Sequence, residues 1–353
     1  MDFTGTKPVS PKLAFDVERL AEYLRRAIEG FPAGPLAVEQ FRGGQSNPTY
    51  KLSAGGRAWV LRRKPPGKLL ASAHAVDREH RVMAALAGSG VPVPRVHLYC
   101  ADPEVIGTPF FVMEFVAGRV LWDPTLPGAS TAERGVIYDE MNRVIAALHR
   151  VDPEAVGLGD YGKPGNYFAR QIDRWSKQYR ASETERIEAM DRLIDWLPKN
   201  LPAGDETAIV HGDFRLDNLI FDPGEPRIVA VLDWELSTLG HPLADFAYHC
   251  MTWRMPAGVF RGLGGVDVAA LGIPTEAEHV AAYVARTGRA PIDEEQWGFC
   301  VAYNMFRMAA ILQGIMGRVK DGTAASAEAV AMGEAARPVG ELAWKQVERM
   351  GRA

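Results

Sequence analysis

The stretch His211-Gly212-Asp213-Phe214-Arg215-Leu216-Asp217-Asn218, with Asp233-Trp234-Glu235 following fifteen residues after Asn218, decides the fold. It is a polar loop between two apolar runs, Ala208-Ile209-Val210 and Leu219-Ile220-Phe221. Another apolar run, Ile228-Val229-Ala230-Val231-Leu232, leads directly into Asp233, and Asp222-Pro223-Gly224-Glu225-Pro226 supplies turn chemistry between the two. Residues 219–232 therefore read as a β-hairpin. A hairpin returns the chain to its starting edge, so Asn218 and Asp233 are expected near each other and beside Asp213. Two carboxylates and a carboxamide gathered there suit a hard cation such as Mg²⁺, which takes one or two protein carboxylates and completes its shell with water and phosphate oxygens.

This pattern resembles the catalytic centre of protein-kinase-like enzymes. Their H-x-D is followed by Asn five residues after the Asp and by a metal-binding Asp beyond a hairpin. Asp213 to Asn218 is five residues, and Asp233 opens the later motif. The closest similarity is to the aminoglycoside phosphotransferase and choline kinase-like family, which carries H-G-D. The resemblance implies an α+β, two-lobed protein-kinase-like fold. A small N-lobe with an antiparallel sheet and one helix would span residues 1–116, and a larger, mainly helical C-lobe residues 117–353. It further implies Asp213 as the base that orients the acceptor hydroxyl, with Asn218 and Asp233 holding Mg²⁺ on the phosphates of ATP. Gly212 stands where regulated protein kinases carry an arginine, Trp234-Glu235 stand in place of Phe-Gly, and no Ala-Pro-Glu follows. These departures fit a constitutive metabolite kinase.

The bulk numbers agree with such an enzyme. A chain of 353 residues can bury a full core in one or two domains. A net charge of −4 and a pI near 6.1 argue against a general nucleic-acid binder. Cys100, Cys250 and Cys300 are far apart, fit no zinc or redox spacing and read as buried thiols. The start of the chain lacks an apolar signal region. The most apolar helix, near Val301–Met316, is interrupted by Arg307 and reads as too short to span a bilayer. A cytoplasmic protein without membrane attachment is the expectation.

Residues 1–13 read as a loosely held arm, followed by a helix over Phe15–Ile28. A strand over Leu36–Phe41 runs into Arg42-Gly43-Gly44-Gln45-Ser46-Asn47, and strands Thr49–Leu52 and Ala58–Arg62 follow around Ala54-Gly55-Gly56. This is either a flap whose amides at Gly43, Gly44 and Ser46 approach phosphates or a plain hairpin turn. No G-x-x-x-x-G-K-[ST] sequence occurs. By alternation Val60, Arg62 and Lys64 share one strand face. The resemblance puts the phosphate-neutralising cation at Arg62, where lysine is usual, with Lys64 as the alternative; for Arg63 a solvated strand end is a competing reading.

Helix Ser72–Ala87 carries Glu79 on its apolar face with Val76, Met83 and Leu86. A buried carboxylate needs a partner, and the resemblance names the strand cation. Strand Pro109–Phe115, running into Val116-Ala117-Gly118, would be the hinge, with adenine at main-chain groups near Glu114 and Val116 and Met113 lining the back.

After Gly118 nearly every segment has helical spacing. Thr131–Arg150, Asn166–Ser182, Glu294–Val319 and an alanine-rich Ala325–Val347 read as helices. Leu148-His149-Arg150-Val151-Asp152, the Asn166–Ser182 stretch and Glu294–Arg318 resemble the phosphotransferase subgroup found fused to acyl-CoA dehydrogenases. His149 reads as a packing residue, His241 as turn chemistry, and Asp245 as structural support for the catalytic loop. Met255–Gly272 is a lid or an irregular connection. Arg307, Ile311, Gly314 and Arg318 share a helix face, which makes Arg307 and Arg318 a candidate anion strip for the acceptor. A hydroxylated acyl-CoA or hydroxy acid is then the favoured acceptor, with a functional link to an acyl-CoA dehydrogenase. The alternatives are an aminoglycoside kinase and a non-catalytic nucleotide- or acyl-binding module.

Overall fold

The computed structural model describes residues 5–42, 47–67, 75–259, 261–324 and 327–351. In chain order these form β1 (Thr6–Lys7), α1 (Val17–Ala27), β2 (Ala37–Phe41), β3 (Thr49–Ala54), β4 (Arg57–Arg63), α2 (Val76–Leu86), β5 (Val96–Cys100), α3 (Pro103–Ile106), β6 (Phe110–Glu114) and β7 (Arg119–Val120). There follow α4 (Thr131–His149), α5 (Tyr167–Ala181), α6 (Glu188–Trp196), β8 (Ala208–Val210), β9 (Leu219–Phe221), β10 (Ile228–Val231), β11 (Thr238–Gly240) and α7 (Pro242–Cys250). The chain continues through α8 (Val268–Leu271), α9 (Glu276–Thr287), α10 (Glu294–Lys320), α11 (Ala327–Glu334) and α12 (Ala336–Arg349).

The chain divides into two compact units, residues 1–121 with 217–237, and residues 122–216 with 238–353. The sequence placed a boundary at 116/117; the division falls after Leu121, and the 219–232 hairpin groups with the first unit. Backbone pairing accounts for this, because β7 joins β9 through Arg119↔Phe221.

In the first unit a six-stranded antiparallel sheet runs β1-β2-β3-β4-β6-β5. One side-chain set of its strands (Tyr50, Leu52, Trp59, Leu61, Val112) packs with Leu20, Ala21 and Leu24 of α1. Residues of opposite parity in β4, Val60 and Arg62, face the other way. The unit therefore carries α1 as well as the one helix, α2, expected beside the sheet. Within the described part of the expected loose arm, residues 5–13, the chain is instead tied to the sheet: Thr6 pairs with Phe41, and the Leu13 carbonyl accepts from Tyr50 Oη and Arg63 Nη2, both at 3.0 Å. Arg63 is likewise no solvated strand end. It is 2% exposed, donates to the Ile106 carbonyl and lies over the Phe15 and Tyr50 rings. Its partners come from segments 50 and 43 residues away, which strand spacing does not register.

The second unit is built on α10, packed against α5, α7, α11 and α12. This helix has 27 residues, matching the expected Glu294–Val319 to within one residue, and it is long and apolar enough to cross a membrane, where its Val301–Met316 part had read as too short. Some 83% of its most apolar stretch is buried within the chain, so its apolarity serves the core. The single helix expected over Ala325–Val347 is two, α11 and α12. Pro338 falls in the first turn of α12, where a missing N–H is tolerated, whereas a helix running through it would lose a hydrogen bond. The Met255–Gly272 segment folds back on itself: the Gly264 amide donates to the Met255 carbonyl and the Leu263 amide to that of Thr252. All three cysteines are buried and free.

Candidate active site

In the first unit the hairpin brings its two ends together. The Leu232 amide donates to the Asn218 carbonyl at 2.8 Å, so Asn218 and Asp233 emerge side by side. The turn is closed by Asp222, whose Oδ1 accepts from the amides of Gly224 and Glu225. Asp233 adopts a left-handed backbone (φ 64°), a conformation aspartate tolerates better than most residues.

Arg62 on β4 reaches this end of the hairpin. Its Nε lies 2.7 Å from Glu79 Oε2 and its Nη2 lies 2.7 Å from Asp233 Oδ1, with Glu235 Oε2 at 3.4 Å. Of the two cations left open by the sequence, Arg62 makes these contacts. Glu79 is 2% exposed, and its Oε1 accepts from Asn47 Nδ2 at 2.7 Å. Burial pushes the Glu79 carboxyl upward, opposed by Arg62 and Asn47. Burial also works against the Arg62 charge, but Glu79, Asp233 and Glu235 more than offset it and hold the guanidinium above its usual range. Sequence reading missed Asn47; its only signal is its place beside the glycine-bearing turn.

Met113 is buried opposite Val60 in β6. Glu114 is exposed, but its amide already donates to the Arg95 carbonyl at 2.8 Å, so that donor is taken by the sheet. Val116 is half-buried. Gly43, Gly44 and Ser46 lie outside the described residues, as does the Ser72 start of the helix carrying Glu79.

In the second unit Asp245 locks the His211-Gly212 backbone. Its Oδ2 accepts from the His211 amide at 2.7 Å and its Oδ1 from the Gly212 amide at 2.8 Å. Gly212 sits at φ 82°, which presents that amide to the carboxylate without the steric cost a side chain would bring. Behind Asp245, His149 Nε2 lies 3.2 Å from Oδ2 and His149 Nδ1 lies 2.7 Å from Tyr283 Oη. Although burial opposes it, His149, His211 and these amides hold the Asp245 carboxyl below its usual range. His149 thus packs edge-on against Tyr283, as expected, and also makes a polar contact at each ring nitrogen. His241 caps α7, its Nδ1 accepting from the Leu243 amide, as turn chemistry required.

Asp213 is held at three atoms. Its amide donates to His211 Nδ1 at 3.2 Å, its Oδ2 lies 3.2 Å from Arg215 Nε, and its Oδ1 accepts from the Tyr248 hydroxyl. The Arg307 guanidinium donates to the Gly212 carbonyl at 2.7 Å and lies 5.0 Å from the Tyr248 ring centre and 5.6 Å from that of Trp175. Tyr248 was not found from sequence; the available signal was its place one helical turn after Asp245.

The anion strip is corrected here. Arg307 is buried against the His211-Gly212 loop, while Arg318 is exposed, eleven residues and about 16 Å further along α10. Gly314, between them, faces Gln178 and Ser182, so α5 covers that part of the expected strip.

The fold is shared with proteins of known structure. A crystal structure from Ralstonia eutropha JMP134, whose name as an aminoglycoside phosphotransferase is itself provisional, superposes with a TM-score of 0.88 at 58% identity. The match covers 95% of this chain and 99% of that one. Aminoglycoside phosphotransferase APH(4)-Ia, in a ternary complex with AMP-PNP and hygromycin B, matches at TM-score 0.60 over 93% of this chain and 98% of its own, at 17% identity. The fold is therefore the kinase-like α+β class. The phosphotransferase enzyme family model matches residues 37–292, and the chain belongs to that family. Acyl-CoA dehydrogenase family member 10 of Mus musculus is 47% identical over 98% of this chain and 32% of its own length. Family member 11 of Rattus norvegicus is 43% identical over 97% of this chain and 44% of its own. The chain thus spans less than half the length of these two curated relatives.

Proposed function

We propose that the chain transfers the γ-phosphoryl group of ATP to a hydroxyl of a small molecule, with Mg²⁺ required. The observation that carries this reading is the Leu232–Asn218 hydrogen bond, which sets a carboxamide and the Asp233 carboxylate together beside Arg62. These are oxygen donors of the kind Mg²⁺ takes, and one carboxylate leaves most of its shell to water and phosphate. Asn218 and Asp233 would hold the ion, which when bound offsets phosphate charge. Arg62, kept charged by Glu79, adds a fixed cation toward the nucleotide phosphates.

Asp213 accepts the proton of the attacking hydroxyl. The hydroxyl oxygen forms a bond to the γ-phosphorus, the bond to the bridging oxygen breaks, and ADP leaves with that electron pair. Clamping of the loop by Asp245 means that little rearrangement is needed to present this carboxylate.

The acceptor we favour is a hydroxyacyl-CoA or a hydroxy acid. Arg215 and Arg307 stand beside Asp213 and its loop, a cationic setting that suits a carboxylate or phosphate-bearing acceptor and disfavours a polycation. The acyl-CoA dehydrogenase names of the relatives point the same way and support a functional link to such an enzyme.

Calorimetric titration of ATP, with and without Mg²⁺, into wild type and Asp233→Asn tests the reading. Metal-dependent binding that the substitution weakens is expected, followed by phosphorylation of hydroxyacyl-CoAs or hydroxy acids in preference to kanamycin. Absence of ATP binding in every condition would mean a non-catalytic module, and preference for kanamycin would mean an antibiotic kinase.

A further inference from the structure

Helix α7 presents two groups to one loop. Asp245 and Tyr248 are three residues apart and so lie on the same helix face. The first clamps the His211-Gly212 amides, and the second meets Asp213 itself. Tyr248 is 4% exposed and its ring lies under the Arg307 guanidinium, so the phenol has little freedom to turn elsewhere. An ionised carboxylate only accepts hydrogen bonds, so between these two the hydroxyl is the donor. Burial and the adjacent Asp213 charge push the Tyr248 phenol well above its usual range, which keeps that donor protonated. Arg215 meets the opposite oxygen. A carboxylate held at both oxygens cannot rotate about its last bond without losing one contact.

We propose that Tyr248 is a positioning residue for phosphoryl transfer, its hydroxyl fixing the plane of the Asp213 carboxylate through Oδ1 so that the Oδ2 side receives the acceptor's proton. This rests on the phosphotransferase reading above. A buried tyrosine that merely filled space would make no difference to the ionisation or the angle of Asp213.

The test uses the full chain and the Tyr248→Phe variant, which keeps the ring beneath Arg307. ATP turnover is followed as ADP release with water as the acceptor. Loss of the donor should lower kcat roughly tenfold or more, leave KM for ATP within about twofold, and move the acidic limb of the rate profile to higher pH, because a carboxylate that loses a donor holds its proton more tightly. Independently of turnover, the Tyr248 hydroxyl proton should resonate far downfield in the NMR spectrum and move upfield in Asp213→Asn. Should Tyr248→Phe fail to fold, 3,5-difluorotyrosine at position 248, a stronger donor, should move the acidic limb to lower pH. An active wild type whose limb and kcat are unmoved by either change, or a resonance indifferent to Asp213→Asn, overturns the positioning role alone. A wild type that turns over no ATP overturns the phosphotransferase reading, and this proposal with it.

Discussion

Arg62 and Asp233, 171 residues apart in the chain, meet at 2.7 Å, while the same guanidinium holds buried Glu79 at 2.7 Å through its Nε. One planar fork thus joins the sheet, helix α2 and the end of the hairpin. Removing it in Arg62→Met strands a carboxylate that is 2% exposed, and breaking a buried pair in this way costs about 3–5 kcal/mol. Arg62→Lys should recover part of the loss, since a single ammonium cannot span both partners in one geometry. Urea unfolding of the two variants checks the order; equal stabilities would contradict it.

Asp245→Asn keeps one acceptor oxygen but turns an amide toward a backbone N–H that now has a carboxylate oxygen. The expected cost is about 2 kcal/mol, seen as a lower Tm, together with slower ATP turnover because the loop carrying Asp213 loosens. Unchanged turnover at lowered Tm would limit Asp245 to stability.

Acid should destabilise the fold well before the carboxylates protonate. Burial holds His241 and His249 down at about 4, whereas unfolded histidine titrates near ~6.5. Between those values the unfolded chain binds protons the folded chain refuses, so stability falls as pH drops through that window and levels off below it. Each histidine contributes roughly 3 kcal/mol at most. The lowered Asp245 carboxyl acts in the same direction at still lower pH. Urea midpoints measured from pH 7.5 to 4 should show the slope, and His249→Gln should flatten it; a level wild-type profile would rule it out.

The two arginines of α10 should behave oppositely. Arg307→Ala leaves the Gly212 carbonyl without its buried donor and removes the cation from the Tyr248 and Trp175 rings. A loss of about 2–4 kcal/mol is expected, with turnover reduced. Arg318→Ala, on the exposed side, should stay within about 0.5 kcal/mol of wild type. Matching effects in a paired stability and kinetic comparison would revive the strip.

Gly118 lies against the hairpin, where a Cβ would come within 2.3 Å of the Phe221 carbonyl oxygen. Gly118→Ala must therefore push β7 off β9 and should cost about 1–3 kcal/mol, read as a shift in the urea midpoint. No shift would mean that this pairing contributes nothing.

The loop spacing, the turn at Asp222, the hairpin and the burial of Glu79 all arise from neighbours within a few residues or one helical period, and these were legible in the chain. So was the part of Asp245, since a carboxylate in the first helical turn has amides within reach. Arg63 and the first strand were misread because their partners, Leu13, Ile106 and Phe41, belong to distant segments. Asn47 and Tyr248 were missed for the same reason. The anion strip failed because equal angular position on a helix says nothing about which part of that face another helix covers.

By itself, then, the sequence determined the kinase-like class and the acid that pairs with the strand cation, and it supplied Asp213 as the candidate base and Asn218 and Asp233 as the candidate metal groups. These depend on local period and on motif spacing, which a linear string retains. Only the tertiary structure decided that Arg62 rather than Lys64 reaches Asp233, that Arg307 belongs to the loop and not to a strip, and that a phenol from α7 meets Asp213. Those contacts join residues far apart in the chain, where packing and the need to pair buried polar groups select the partners.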